Sequence, residues 1–237
     1  MKKKAIFFDL DGTLLPMEQG EFTRVYFHGL CGAVSEFGVD PKKIVEYLWA
    51  GVGAMVKNDG SCVNIDAFSR GFSAVCDLPL DRFCVLADNF YVTDFNLAKR
   101  VTKENPQAKP LIEKLRSKGY TLVLATNPIF PLCAQRTRMS WVGLTPSDFD
   151  YVSSYETDRY AKPNPNYYLD LCRRVGVDPS EAIMIGNDVE EDMFAASSAG
   201  LDVFLVDDFK IPSKVREYTG DHGSFSDIMK KIESYEI

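Results

Sequence analysis

The chain has 237 residues, 46% hydrophobic and 26% charged, enough for one large domain or for a core domain with a smaller insertion. Its net charge of −7 offers no broad basic field to nucleic acid or an anionic membrane, so an anionic ligand would need a local positive site. Two histidines exclude a multi-histidine zinc centre, and six scattered cysteines without a Cys-x-x-Cys pair fit reduced thiols in a cytoplasmic protein.

Met1-Lys2-Lys3-Lys4 is a basic start, but the apolar run behind it ends in charge after four residues, too short for a secretory leader. No stretch approaches a membrane span. That run, Ala5-Ile6-Phe7-Phe8, reads as a strand apolar on both faces. Such strands belong to parallel sheets covered by helices, and ligands there bind beyond the carboxyl ends of the strands. Asp9 stands at this end, and Asp11 shares its face if the chain stays extended through Leu10. Two carboxylates side by side repel, and a divalent cation or a shared proton relieves them; Gly12 then lets the chain turn sharply. Magnesium, a hard cation that takes oxygen ligands, fits best. By themselves these four residues read equally well as a solvated turn.

Residues 16–20 are rich in helix breakers, and the texture then changes. Phe22, Val25, Tyr26, Gly29, Leu30 and Ala33 recur at helical spacing, as do Ile44, Val45, Leu48 and Val52 after Asp40-Pro41. Two more helices are predicted over residues 65–75 and 80–95. No strand alternation appears before about residue 101, so residues 17–101 read as an all-helical insertion. It is expected to hinge on, and be tethered only by, its connections at residues 16–20 and 101–110.

An α/β pattern follows. Helix is predicted around residues 111–115, over 131–141, 165–175 and 190–199, and from Ser224 to Tyr235. Strand is predicted over residues 120–125, at Tyr151 and Val152, and over 182–185 and 203–206. This alternation means right-handed βαβ crossovers. The fold class is therefore α/β, a doubly wound parallel sheet of Rossmann-like type made by residues 1–16 and 102–237, carrying the helical insertion.

Three polar clusters lie at strand ends or in the loops between them. Thr126 and Asn127 follow the strand at residues 120–125, where a hydroxyl and backbone N–H groups can hold an anion or simply form a turn. Lys162 sits between Ala161 and Pro163 with a second proline at 165, in a confined loop where a fixed cation can neutralise a phosphate oxygen and steady a carboxylate nucleophile. Gly186-Asn187-Asp188-Val189-Glu190-Glu191-Asp192 follows the strand at 182–185. Asp188 and Asp192 are spaced to share a helical face, whereas Glu190 and Glu191 need no reason beyond the helix dipole.

Taken in order, Asp-x-Asp-Gly-Thr, strand-Thr-Asn, Lys-Pro and strand-Gly-Asn-Asp-x-x-x-Asp resemble the motifs of the haloacid dehalogenase superfamily, and the inserted helices resemble its helical cap. The resemblance implies Asp9 as the nucleophile that becomes an aspartyl-phosphate and Asp11 as the acid/base. It implies Thr126, Asn127 and Lys162 as binders of the phosphate, with Thr126 and Lys162 also serving catalysis. Magnesium would be held by Asp9, the backbone carbonyl of Asp11, and Asp188, with Asp192 in support. Asn187 departs from the pattern, since many members place Gly directly before the acid. An acid at position 11 resembles the phosphatases and phosphomutases of the superfamily, because halide displacement needs no proton. The expected function is a magnesium-dependent phosphatase acting on a small phosphorylated metabolite. The alternatives are a phosphomutase, for which Arg24, Lys57, Arg70 or Arg82 would have to serve a second phosphate, and a non-catalytic phosphate-binding module. Tyr26, Phe27 and Trp49 are expected in the core rather than in a pocket.

Overall fold

A computed structural model describes residues 3–233. Among these, six strands form one sheet: β1 (Ala5–Phe8), β2 (Thr121–Leu124), β3 (Tyr151–Val152), β4 (Ala182–Gly186), β5 (Asp202–Val206) and β6 (His222–Gly223). Their order is β3-β2-β1-β4-β5-β6, and every neighbouring pair is parallel. β1 lies between β2 and β4, with Ala5 opposite Thr121 and Ala182, and Phe8 opposite Leu124 and Ile185. The doubly wound α/β sheet expected from the strand and helix pattern is therefore present.

β1 can occupy this central place because both of its faces are apolar. Ile6 and Phe8 enter one core cluster with Leu111, Ile112 and Leu115 of α5 (Ala108–Ser117) and Ile228 of α9 (Phe225–Glu233). Ala5 and Phe7 enter the other, with Tyr167, Tyr168 and Leu171 of α7 (Pro165–Val175) and the alanines of α8 (Ala195–Ser198). All four side chains are fully buried, and each phenylalanine contributes roughly 1.5–3 kcal/mol relative to exposure. The end of the predicted tail helix, at Tyr235, lies outside the described residues.

Between β1 and β2 stand α1 (Gln19–Ala33), α2 (Pro41–Val56), α3 (Asn64–Ser73), α4 (Leu80–Val92) and a 3₁₀ stretch at Asp94–Val101. α2 starts where Asp40 accepts from the Lys42 amide at 2.8 Å, with Pro41 in the first helical position. The helix predicted over residues 80–95 stops at Val92, and the chain then tightens into the 3₁₀ turns. The two connections run side by side: Lys103 N–H donates to the Pro16 carbonyl at 2.8 Å, and Met17 bridges Thr102 in antiparallel sense.

These connections are not the insertion's only tether, which corrects the sequence expectation. The first two amides of α3, of Asn64 and Ile65, donate to the Asp158 and Tyr155 carbonyls, each at 2.8 Å. The fully buried Asn64 side chain also donates to the carbonyls of Pro128 (3.2 Å) and Tyr160 (3.1 Å). A loop of the sheet domain thus satisfies N–H groups that a helix start leaves unpaired, and the insertion is docked over the carboxyl ends of the strands.

Candidate active site

The ladder hydrogen bonds run one residue past the central strands. Asp9 N–H donates to the Ile185 carbonyl at 2.9 Å and Ala125 N–H to the Phe8 carbonyl at 2.7 Å. Asp9 and Thr126 therefore emerge on adjacent strand ends, and both line a cavity of about 290 Å³ together with Asp11, Asn127, Asp188, Glu191 and Asp192. After Asp11 the chain reverses through Gly12, whose φ is +85°, and Leu15 N–H donates back to the Leu10 carbonyl at 2.8 Å. A Cβ on Gly12 would collide with the Asn187 side chain. Asn187 itself accepts from the Thr13 hydroxyl (3.1 Å) and donates to the Phe209 carbonyl (2.7 Å), so this departure from the family pattern ties the β1 loop to the loop after β5.

Lys162 reaches the same point from the loop before α7, through a cis bond to Pro163. It is 1% exposed, and its ammonium donates to Asp9 Oδ1 at 2.9 Å and to Asp192 Oδ1 at 2.5 Å. Three N–H donors and two protein acceptors leave one for a ligand oxygen. Burial alone would lower its pKa, but Asp192 and Asp9 outweigh burial and hold it well above the usual lysine value.

Asp188 and Asp192 do not share a helical face. Asp188 is an N-cap, its Oδ1 accepting from the amides of Glu190 and Glu191 at 2.8 Å each. The next turn is wide, a π-helix at Val189–Phe194 where a regular α-helix was predicted, and it brings Asp192 back toward β4. Asp192 Oδ2 accepts from the amides of Asn187 (3.1 Å) and Asp188 (3.0 Å), and its other oxygen holds Lys162. Gly186 makes room, since a Cβ there would strike the Asp192 carboxylate. Asp192 is accordingly fully engaged by protein donors, whereas Oδ2 of Asp188 has no donor among the described residues.

Asn127, expected to bind substrate, also spends its amide on protein. Its oxygen accepts from Lys162 N–H at 3.2 Å and its nitrogen donates to Glu191 Oε2 at 3.0 Å. Glu191 is thereby drawn into the cavity wall, although its place at a helix start gave it a sufficient reason in the sequence. Burial pushes its pKa up to about 7.

The sequence did not point to Arg138. It lies in the last turn of α6 (Leu132–Ser140), is 1% exposed, and forms an ion pair with Asp11 Oδ2 while donating to the Gln135 side chain. Its guanidinium stands 4.4 Å from the centre of the Phe130 ring. Asp11 Oδ1, Gln135 Nε2 and Arg138 Nε are buried without hydrogen-bond partners among the described residues. Burial raises the Asp11 pKa, with Arg138 and Lys162 pulling against it. Burial also raises Asp9 well above the ordinary carboxylate value; Lys162 opposes this, while Asp192 and Asp11 add to it.

Charge provides the test for a metal. Asp9, Asp11, Asp188, Glu191 and Asp192 crowd one cavity against the cations Lys162 and Arg138, and this excess of buried carboxylate calls for a further cation. Among the described residues no three carboxylate, imidazole or thiol groups form a cage by themselves. The oxygen donors of this cavity suit a hard cation better than zinc.

The family model for haloacid dehalogenase-like hydrolases matches residues 3–200. A glyceraldehyde 3-phosphate phosphatase of Methanopyrus kandleri is 28% identical over 201 residues, covering 84% of this chain and 81% of its own. A phosphoglycolate phosphatase of Aquifex aeolicus is 24% identical over 245 residues, covering 98% of each. Among solved structures, the 2-haloacid dehalogenase of Pseudomonas syringae pv. Tomato DC3000 superposes over both full lengths with a TM-score of 0.63 at 21% identity, a likeness of fold. With motif, sheet and family match in agreement, the chain belongs to the haloacid dehalogenase-like hydrolases.

Proposed function

We propose that the protein is a magnesium-dependent phosphatase that hydrolyses a small phosphate monoester through an aspartyl-phosphate on Asp9. The observation that carries this reading is the pairing of two unlike carboxylates at the end of β1. Asp9 is held by the buried Lys162, while Asp11 is held at one oxygen by Arg138 and has its other oxygen, Oδ1, without a donor among the described residues. An acid beside the nucleophile is what an alkoxide leaving group requires and a halide does not. Relatives named as phosphatases support the same reading.

In the first step an Asp9 oxygen attacks phosphorus, the bond from phosphorus to the ester oxygen breaks, and Asp11 gives its proton to the departing alcohol. In the second, Asp11 takes a proton from the water that attacks the phosphorus of the aspartyl-phosphate, and inorganic phosphate leaves with Asp9 restored. Lys162 directs its remaining N–H at a phosphoryl oxygen, and Thr126 offers a hydroxyl at the neighbouring strand end. Asp9, the Asp11 backbone carbonyl and Asp188 would hold magnesium, which supplies screening of the anionic phosphoryl group from the attacking carboxylate.

A phosphomutase would need cations for a second phosphate. Arg24, Lys57, Arg70 and Arg82 are all exposed, and none lines this cavity, which favours the phosphatase. The test is phosphate release from a panel of monoesters with magnesium and after its removal by chelation. Activity should vanish on chelation and return with magnesium. Asp188→Asn should raise the half-saturating magnesium concentration by at least about tenfold, and an unchanged magnesium dependence would reject the ligand assignment.

A further inference from the structure

A second cavity, of about 160 Å³, lies between the inserted helices and the sheet domain. Gln19, Ile129 and Phe130 line both it and the acidic cavity, so the two adjoin. Its wall is aromatic: Phe22 and Tyr26 of α1, Trp49 of α2, Phe68 of α3, and Phe130 from the loop before α6. Trp49, expected in the core, is 53% exposed and stands 5.5 Å from Phe27, another wall residue. Tyr26 is buried as expected, yet lines the cavity too.

Several polar groups of this wall are spent within the fold. The Tyr26 and Tyr91 hydroxyls bond to each other at 2.7 Å, Thr23 donates to the Gln19 carbonyl at 2.8 Å, and Ser69 donates to the Ile65 carbonyl at 2.7 Å. The side chains of Gln19, Trp49, Cys84 and Tyr155 are the donors left to a ligand, in a lining that is mostly carbon. Among the described residues no lysine, arginine or histidine lines the cavity, and its one charged residue is the exposed Asp88, which repels an anionic leaving group. An apolar cavity of about 150 Å³ holds a benzene ring.

Building on the phosphatase reading above, we infer that this cavity receives the leaving group and that the preferred substrates are phosphate monoesters of uncharged, apolar alcohols of about the size of one six-membered ring. Esters whose alcohol carries a carboxylate, a second phosphate or several hydroxyls are poor substrates, because the wall offers no cation and is mostly apolar. Phe130 packs on Arg138 and also lines both cavities, so a ring in the wall of this pocket also braces the residue that holds Asp11.

The experiment measures kcat/KM with magnesium for methyl phosphate, benzyl phosphate, 2-phosphoglycolate and glucose 6-phosphate. Methyl and benzyl alcohol are of similar acidity, so the comparison reads binding rather than leaving-group chemistry. Benzyl phosphate is expected to exceed each of the others at least tenfold. Release from none of the four would overturn the phosphatase reading and this inference with it. Release without a benzyl preference, or a preference for phosphoglycolate or glucose 6-phosphate, would overturn this inference alone. Ala87→Phe, which fills the cavity from α4, should lower the benzyl-to-methyl ratio at least tenfold, and an unchanged ratio would contradict the assignment. In the unsubstituted protein, benzylphosphonate should inhibit at least tenfold more strongly than methylphosphonate; equal inhibition would likewise reject the pocket.

Discussion

Asp9→Asn is expected to abolish turnover, with kcat falling by a factor on the order of 10⁴ or more, while the fold survives. The substitution removes the attacking oxygen and replaces it with an amide, a poor nucleophile. It keeps the side chain's size and an acceptor oxygen for the Lys162 ammonium, which now stands 2.9 Å from Asp9 Oδ1. Exchanging a buried carboxylate for a neutral group also lightens a crowded cavity, so the melting temperature should hold or rise. Phosphate release measured beside a thermal melt checks both parts. Loss of activity with loss of fold would leave Asp9 a structural rather than a catalytic residue, and retained activity would place the nucleophile elsewhere.

The second large effect is expected at Lys162. Lys162→Met removes the cation that joins Asp9 and Asp192 and leaves two buried carboxylates without it, a change that costs roughly 3–5 kcal/mol. Activity should fall by about 10²–10³ as well, since a preorganised donor to the phosphoryl group is lost. The pH dependence has a definite sign. The folded pKa of Lys162 is raised above its ordinary 10.5, so its stabilising contribution is fully present below that value and is lost as pH rises through the folded pKa. Asp9 already binds its proton more tightly than an ordinary carboxylate at 3.8, and without Lys162 it binds it more tightly still. Lowering the pH toward 3.8 neutralises the orphaned carboxylate, so the stability gap between variant and parent should narrow. Denaturant unfolding at several pH values provides the measurement; a gap that widens on acidification would contradict the proposed role of the ion pairs.

What the sequence made legible was what chain position determines. A four-residue apolar run ending in Asp9 places that carboxylate at a strand end because both faces of β1 are apolar, and the same logic places Thr126 and Asp188. Lys162 was marked by its prolines. The site residues that escaped notice depend on helix packing. Arg138 reads as one more cation in a helix of weak amphipathic pattern, and only the docking of α6 against the β1 loop brings it to Asp11. Glu191 was hidden by a sufficient local explanation, the preference of acids for helix starts. The wide turn at Val189–Phe194 has no counterpart in a pattern of apolar spacing, so the folding back of Asp192 could not be read from its four-residue separation from Asp188. The aromatic cavity was invisible for a related reason. Phe22, Tyr26 and Trp49 recur as core residues do, and which of them face a void is decided by how four helices tilt over the sheet domain.

The covalent step on Asp9 is tested most directly by acid-quenched labelling of Asp11→Asn. Arg138 can still donate to the oxygen of an asparagine, so the side chain should remain in place. With 4-nitrophenyl phosphate the leaving group needs no proton, and phosphorylation should proceed. Activation of the second-step water is lost, by a factor of about 10²–10⁴. Incubated with labelled ester and quenched in acid, this variant should carry close to one phosphoryl group per chain, on Asp9, and the label should be absent from the Asp9→Asn, Asp11→Asn double variant. An Asp11→Asn protein that carries no label, or carries it on a residue other than Asp9, would contradict the account.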